Sequence, residues 1–439
     1  MHKSTNSRRT FLKQAGVLTA GTVLVGQAVP KVHAAENNTI KIAVVGCGSR
    51  GSSATQQALS ADPNVKLWAV ADTFKDRAER AAGIFKDDHP EKNEVSPDRC
   101  FVGFEAYKNA MDSLDKGDVV LLTTPPAFRP LHFAYAVEKG LNVFAEKPLA
   151  VDVPGLKWLM ESNAKAKTQN LKVGVGLNNR HYFRTAETVK AIQDGKLGDI
   201  TSMWVYRMHS THPIGPMGDR TPLEQQLRHI FNFNWTTGGF IVDALIHNLD
   251  IVCWAKQDLP VAAQGQGGRE VRREKDQMID HAAVEYIFGD GTKMVMQAKT
   301  IPNCWTVFQA NIQGTKGAAV LGEGVRYPRI WSDWAEKNQI WAASQPENDS
   351  YQTEHDLFFK AIRENQEWNE LKRGIDATFT PILGRMAVDT GKYLKAEDAW
   401  TSTFQYVPDI ANMSFDKPAP VLPDENGNYP QPIPGVTQI

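Results

Sequence analysis

The hydrophobic pattern divides the chain into two textures. Between about residues 40 and 150, continuous apolar runs ("IKIAVV", "VKLWAVAD", "GDVVLLTT", "LNVFA") alternate with amphipathic segments such as "DRAERAAGIF" and "RPLHFAYAVEKG". Runs with no polar face suit strands buried on both sides, and the segments between them have helical spacing. Gly140 follows the last of these segments as a C-cap. Strands that alternate with helices in this way predict a parallel, doubly wound sheet.

Beyond about residue 180 the spacing changes. "GDITSMWVYRMHS" alternates as a half-buried strand does, and "AAVEYIFGDGTKMVMQAKT" is two such runs joined through Asp290-Gly291, a hairpin signal. "TVFQANIQGTKGAAVLG" repeats the pattern, and helical spacing returns in "TEHDLFFKAIREN" and "FTPILGRMAVDTGKYLK". This predicts a mostly antiparallel sheet, with helices on one face and the other face open. The last residues, rich in Pro, Asp and Asn, read as an extended arm without a core of its own. The expected boundaries are 35–150 for the first domain, 151–406 for the second and 407–439 for the arm.

Composition adds a few limits. The 439 residues suffice for two or three domains with sizeable cores. A near-neutral charge and the lack of a basic stripe speak against nucleic acid as a partner. Residues 1–34 differ from the rest: Arg8-Arg9 precede Phe11-Leu12, a weakly apolar stretch and then Val32-His33-Ala34 as a cleavage site. That stretch is short for a membrane span, so stable membrane insertion is not expected. The order of parts predicts a twin-arginine export signal and a periplasmic or secreted protein that engages the twin-arginine machinery. Without these residues the chain carries 44 basic and 50 acidic side chains. The four cysteines, Cys47, Cys100, Cys253 and Cys304, are widely spaced and read as packing residues.

The chemistry begins at Gly46-Cys47-Gly48-Ser49-Arg50-Gly51, which follows an apolar run and opens a helix. In that setting G-x-G-x-x-G binds a dinucleotide: the glycines admit the pyrophosphate, and the helix N-terminus offers unpaired N–H groups. Asp72, closing the next run, is placed to accept hydrogen bonds from the adenosine ribose and to repel a 2′-phosphate. This favours NAD, and Arg77 nearby leaves NADP open. Thr124 and Pro125 end a further run, where a rigid face fits along a nicotinamide ring.

Together with His132 and "AEKP" (Glu146-Lys147-Pro148), "GVGLNNRHYFR" and "GGFIVDALIHNLD", these motifs resemble the Gfo/Idh/MocA oxidoreductases, named for glucose–fructose oxidoreductase and inositol dehydrogenase. The resemblance spans residues 40 to 395. It implies a Rossmann domain followed by an open-faced β-sheet domain, with sugar and cofactor between them, and homodimers or homotetramers built through the sheets. Lys147 matches the family lysine that touches nicotinamide ribose and substrate hydroxyl; Asp243 and His247 match its D-x-x-x-H pair. Four-residue spacing puts the pair on one helix face. His247 is then the general base, Lys147 stabilises the developing oxyanion, and Asp243 holds a second hydroxyl. Arg180, Arg184, Tyr206, Arg207, His209 and Trp235 are candidate sugar contacts. His209 and His212 have no third ligand spaced to complete a metal set.

An exported NAD enzyme must carry its cofactor with it, so a tightly bound dinucleotide is expected. Two enzymes fit. One is a sugar or glycoside dehydrogenase acting at a ring CH–OH such as C3 and working by ping-pong exchange. The other is a glycosidase that oxidises C3, eliminates the aglycone and re-reduces. The retained EKP favours the dehydrogenase. A sugar-binding protein with structural NAD is a third reading, opposed by intact Lys147, Asp243 and His247.

Overall fold

The computed structural model describes residues 38–439, residue 211 excepted. The predicted export signal, residues 1–34, therefore lies outside the described residues. The first sheet forms from β1 (Ile40–Val45), β2 (Val65–Asp72), β3 (Cys100–Val102), β4 (Val119–Leu122), β5 (Asn142–Ala145) and β6 (Val173–Val175). Its strands are all parallel, in the order β3-β2-β1-β4-β5-β6. The intervening helices are α1 (Ser49–Ala61), α2 (Lys75–Asp88), α3 (Ala106–Asp112), α4 (Arg129–Lys139) and α5 (Val153–Thr168). β1 and β4 are neighbours, yet the chain leaves them toward opposite edges. Their carboxyl ends open a crevice at that switch point, and the glycine loop and Thr123-Thr124-Pro125 sit there.

The expected boundary at residue 150 is corrected. β6 joins the parallel sheet after that point, and its three residues are too few to show a periodic signal. Two later helices also return to the first domain: α10 (Ser350–Arg363) packs on α1, and α11 (Leu371–Thr390) packs on α5.

Between β6 and α10 lie α6 (Phe183–Gln193), β7 (Ile200–His209), α7 (Pro222–Arg228), α8 (Asn234–Thr237) and α9 (Phe240–Lys256), then β8 (Ala262–Gly268) through β14 (Gln339–Ala342). A nine-stranded sheet runs β14-β13-β12-β11-β7-β10-β9-β8-β15, where β9 is His281–Ile287, β10 Lys293–Thr300, β11 Val307–Gly314, β12 Gly317–Leu321, β13 Arg329–Trp331 and β15 Leu394–Lys395. β7 and β10 pair in parallel and the other ladders are antiparallel. The Asp290-Gly291 turn joins β9 to β10, as the sequence predicts. α9 and α11 cover one face. Residues 234–256 are long and apolar enough to cross a membrane, but 78% of their most apolar window is buried in the protein, as in a core helix.

The arm, residues 407–439, has no helix or strand of its own beyond a short 3-10 turn at Ile410–Asn412, and further tight turns close at Lys417, Gly427 and Val436. It does not stand alone: Ala419 and Tyr429 are buried with Phe233 and Trp235. Cys47 and Cys253 are buried as expected, whereas Cys304 is exposed.

Candidate active site

The glycine loop is shaped by close backbone approach. Gly46 has φ +103°, and a Cβ on Gly51 would lie 1.9 Å from the Gly46 carbonyl oxygen. Gly48 is the opposite case: a Cβ there would meet nothing within 4 Å. No side chain caps the N-terminus of α1 behind it, so its N–H groups stay open for an anion. This cradle fits a pyrophosphate. Asp72 lines the same cavity, with Phe74, Tyr107 and Thr124. Its carboxylate accepts from the backbone N–H of Cys47 at 2.7 Å and of Phe74 at 2.9 Å. Burial pushes its pKa up, opposed by those two bonds and by Arg77.

At the carboxyl end of β4, His132 Nδ1 lies 3.1 Å from the Thr124 hydroxyl and its ring stacks on Tyr107. Burial, then Arg129, drives the His132 pKa down to about 3, so the ring is neutral and orients Thr124 rather than carrying charge. Arg129, only 1% exposed, donates to the carbonyls of Thr124 and Pro148, tying the β4 end to the EKP loop. Sequence spacing gave no signal for this clamp.

Arg50 and Glu146 were both expected at the cofactor. The structure pairs them with one another, joining the glycine-loop helix to the EKP loop, with Arg50 also over the Tyr351 ring. The next residue, Lys147, reaches the N-terminus of α9. Its Nζ donates to the Asp243 carbonyl at 3.0 Å and stands 3.7 Å from the Asp243 carboxylate. One turn on, His247 is buried, and its ring stands nearly perpendicular to that of Phe308, with centroids 6.4 Å apart. Burial, then the Lys147 ammonium and the Arg207 guanidinium, hold the imidazole well below the ordinary histidine value. The amine and the imidazole therefore belong to one charged cluster around the first turns of α9, in which the imidazole is held neutral.

The sequence did not point to two of the imidazole's partners. Glu323 Oε2 lies 3.2 Å from His247 Nδ1, and Asn179 Nδ2 lies 3.5 Å from the same atom. Asn179 stands in the quoted "GLNNRHYF" stretch, whereas Glu323 arrives from the loop after β12 with no spacing relation to the helix.

The candidate sugar contacts divide sharply. Arg207 stays in the cluster: its guanidinium lies 3.7 Å from the Phe308 ring centroid, its Nε is buried without a partner, and Glu323 and Asp243 act on its charge. His209 continues that face of β7 and stacks on His212. Tyr206 is corrected: strand alternation turns it to the open face of the sheet, where it meets Trp305. Trp235 is also corrected. It is 1% exposed with its indole N–H given to Gln226, leaving no surface for a ligand. Arg180 spends its fork on Asp250 at 2.8 and 2.7 Å, bracing α9, and Arg184 donates to the carbonyls of Gln345 and Arg326.

The cavity's far wall comes from the second domain. Leu227 and Ile230 line it together with Asp72 and Phe74. Beside them Arg228 grips Asp76 at 2.8 and 3.1 Å and lies 4.0 Å over the Phe74 ring. From the arm, Phe415 packs against Phe74 and Phe104.

Comparison with known proteins agrees with this arrangement. Residues 40–176 match the oxidoreductase family with an NAD-binding Rossmann fold, and residues 185–320 match the GFO/IDH/MocA C-terminal domain. The chain is 25% identical over 315 residues to the inositol 2-dehydrogenase of Burkholderia multivorans, covering 68% of this chain and 81% of that protein. It is 25% identical to the Serratia proteamaculans enzyme of the same name, over 65% and 74% of the two chains. In fold it is similar to a levoglucosan dehydrogenase solved with NADH and levoglucosan, at TM-score 0.64 and 18% identity over 82% of this chain and all of that one. The aldose–aldose oxidoreductase of Caulobacter crescentus gives TM-score 0.63 at 15% identity, over 82% of this chain and 100% of that one. The glycine cradle, the EKP lysine and the D-x-x-x-H helix thus occur in a chain whose two halves both match one family, and the protein belongs to the Gfo/Idh/MocA oxidoreductases.

Proposed function

We propose that the protein is an exported, NAD-retaining dehydrogenase that oxidises a ring CH–OH of a sugar or glycoside, with C3 the preferred position. The observation that carries this reading is the contact of Lys147, from the loop that ends β5, with Asp243 on the helix that holds a neutral, buried His247. The relatives named inositol 2-dehydrogenase support a polyol or sugar alcohol as the reacting group. When bound, NAD supplies the hydride acceptor. His247 takes the hydroxyl proton, the Lys147 ammonium stabilises the oxygen as negative charge builds on it, and Asp243 fixes a neighbouring hydroxyl. Arg207, stacked and with an unpaired Nε, offers further donors to the ring hydroxyls.

Purified protein incubated with methyl and nitrophenyl glucosides, inositols and an artificial electron acceptor tests this directly. Acceptor reduction without aglycone release is expected. Aglycone release without acceptor would replace the dehydrogenase with the elimination-type glycosidase, and neither outcome would leave a sugar-binding protein.

Retention of the dinucleotide through turnover fits the second-domain wall and arm around the adenosine end. Arg228→Ala removes a bidentate pair and a cation–π contact, each contributing up to about 1 kcal/mol at a partly exposed site. Dinucleotide release, followed by NADH fluorescence, should speed up about tenfold; an unchanged rate would remove the clasp from cofactor retention. Export rests on the twin-arginine segment, and a reporter fused behind residues 1–40 tests it. The uncovered face of the large sheet, where Tyr206 and the 63%-exposed Trp305 sit, is the surface proposed for homo-oligomers.

A further inference from the structure

The loop after β12 reads Gly322-Glu323-Gly324, and both glycines are required by close approach. At Gly322 (φ +123°) a Cβ would lie 2.7 Å from the Asn248 Oδ1, and at Gly324 a Cβ would lie 2.0 Å from the Phe308 carbonyl oxygen. The same Asn248 oxygen accepts from the Glu323 backbone N–H at 2.9 Å. Asn248 is the residue after His247, so the loop is fastened to the helix that carries the imidazole. A carboxylate that merely solvated the surface would not need its backbone pressed onto two elements.

We propose that Glu323 is the positioning residue of the base: it holds His247 with the Nδ1 proton toward the carboxylate and Nε2 free for the substrate hydroxyl. This rests on the oxidoreductase reading above. A carboxylate at one ring nitrogen fixes the tautomer and favours the imidazolium that forms when the other takes a proton. The remaining charges on the pair are Lys147 from the EKP loop, Arg207 from β7 and Asp243 from α9, with the Tyr351 hydroxyl of α10 near Glu323. Lys147 and Arg207 both disfavour a protonated ring, and the Glu323 carboxylate, 3.2 Å from Nδ1, opposes them.

Glu323→Gln keeps the shape and removes the charge. Expected are a fall in kcat of about tenfold to a hundredfold with KM within about twofold, an acid limb of the kcat profile displaced to lower pH, and partial recovery in Glu323→Asp. A raised KM with an unmoved acid limb would make Glu323 a substrate contact and overturn the proposal. A second readout is independent of turnover. In protein labelled with 15N-histidine, with His247 assigned by comparison with His247→Gln, the wild type should show the Nδ1–H tautomer and Glu323→Gln should lose it. An unchanged tautomer overturns the proposal, whereas a wild type that holds the tautomer but oxidises no alcohol overturns the oxidoreductase reading and leaves the pair standing.

Discussion

Lys147→Ala should lower kcat for alcohol oxidation by about a thousandfold while bound dinucleotide stays near its wild-type content. A thousandfold corresponds to about 4 kcal/mol of transition-state stabilisation, in the range for removing a charged donor aimed at a developing oxyanion in a water-poor site. The side chain is positioned for this by backbone rather than by its own flexibility: Arg129 and the Arg50–Glu146 pair fix the EKP loop, and the Asp243 carbonyl fixes the ammonium. Cofactor retention should survive because the glycine cradle, Asp72 and the second-domain wall do not depend on Lys147. Lys147→Arg should not rescue turnover, since a planar fork cannot occupy the place of a compact ammonium. Rapid-mixing kinetics together with cofactor content after denaturation would check both parts; full turnover in the alanine variant would remove Lys147 from the chemistry.

The first sheet and its cofactor loop were legible in the sequence because their signals are local. A parallel strand buried on both faces is a continuous apolar run, and the glycine pattern directly follows one. Asp243 and His247 were singled out by the family resemblance, and the four-residue spacing added that the two share one helix face. Tyr206 and Trp235 failed because residue type says nothing about which face a side chain takes. Tyr206 and Arg207 are adjacent in a strand, so only one of them can address the crevice. Arg129, Asn179 and Glu323 are lone polar residues brought together from separate elements, and no local window contains their relation. β6 was missed on length alone.

The long-range links that were illegible share a direction. Arg129 and the Arg50–Glu146 pair each join one motif that could be read to another, strand end to EKP loop and glycine helix to EKP loop, while Asn248–Glu323 joins the readable His247 helix to a sheet loop that could not be read. The motifs supply the reacting groups of the proposed mechanism, and these links supply their relative positions. Positional errors of about 1 Å can cost about a hundredfold in rate, so substitutions at the links should act on kcat before they act on cofactor content.

Gly51→Ala and Gly48→Ala should separate two ways of losing the cofactor. At Gly51 the added methyl meets backbone, the Gly46 carbonyl at 1.9 Å, with the Thr123 hydroxyl at 2.9 Å. No rotamer change relieves a contact with main chain, so β1 and α1 must move apart. Overpacking of this kind costs about 1–3 kcal/mol or more. The variant should therefore lose stability and bind dinucleotide at least about a hundredfold more weakly, because the N–H groups that face the pyrophosphate move with α1. At Gly48, φ is −74°, which alanine adopts freely, and the methyl has open space. Stability should stay within about 0.5 kcal/mol of wild type, yet binding should weaken by a similar factor, since the space the methyl takes is the approach of the pyrophosphate to the backbone. Denaturant unfolding of the cofactor-free protein and calorimetric titration with NAD measure the two quantities separately. Wild-type affinity in Gly48→Ala would mean that the phosphates do not lie against this loop, and the assignment of the cradle would fall with it.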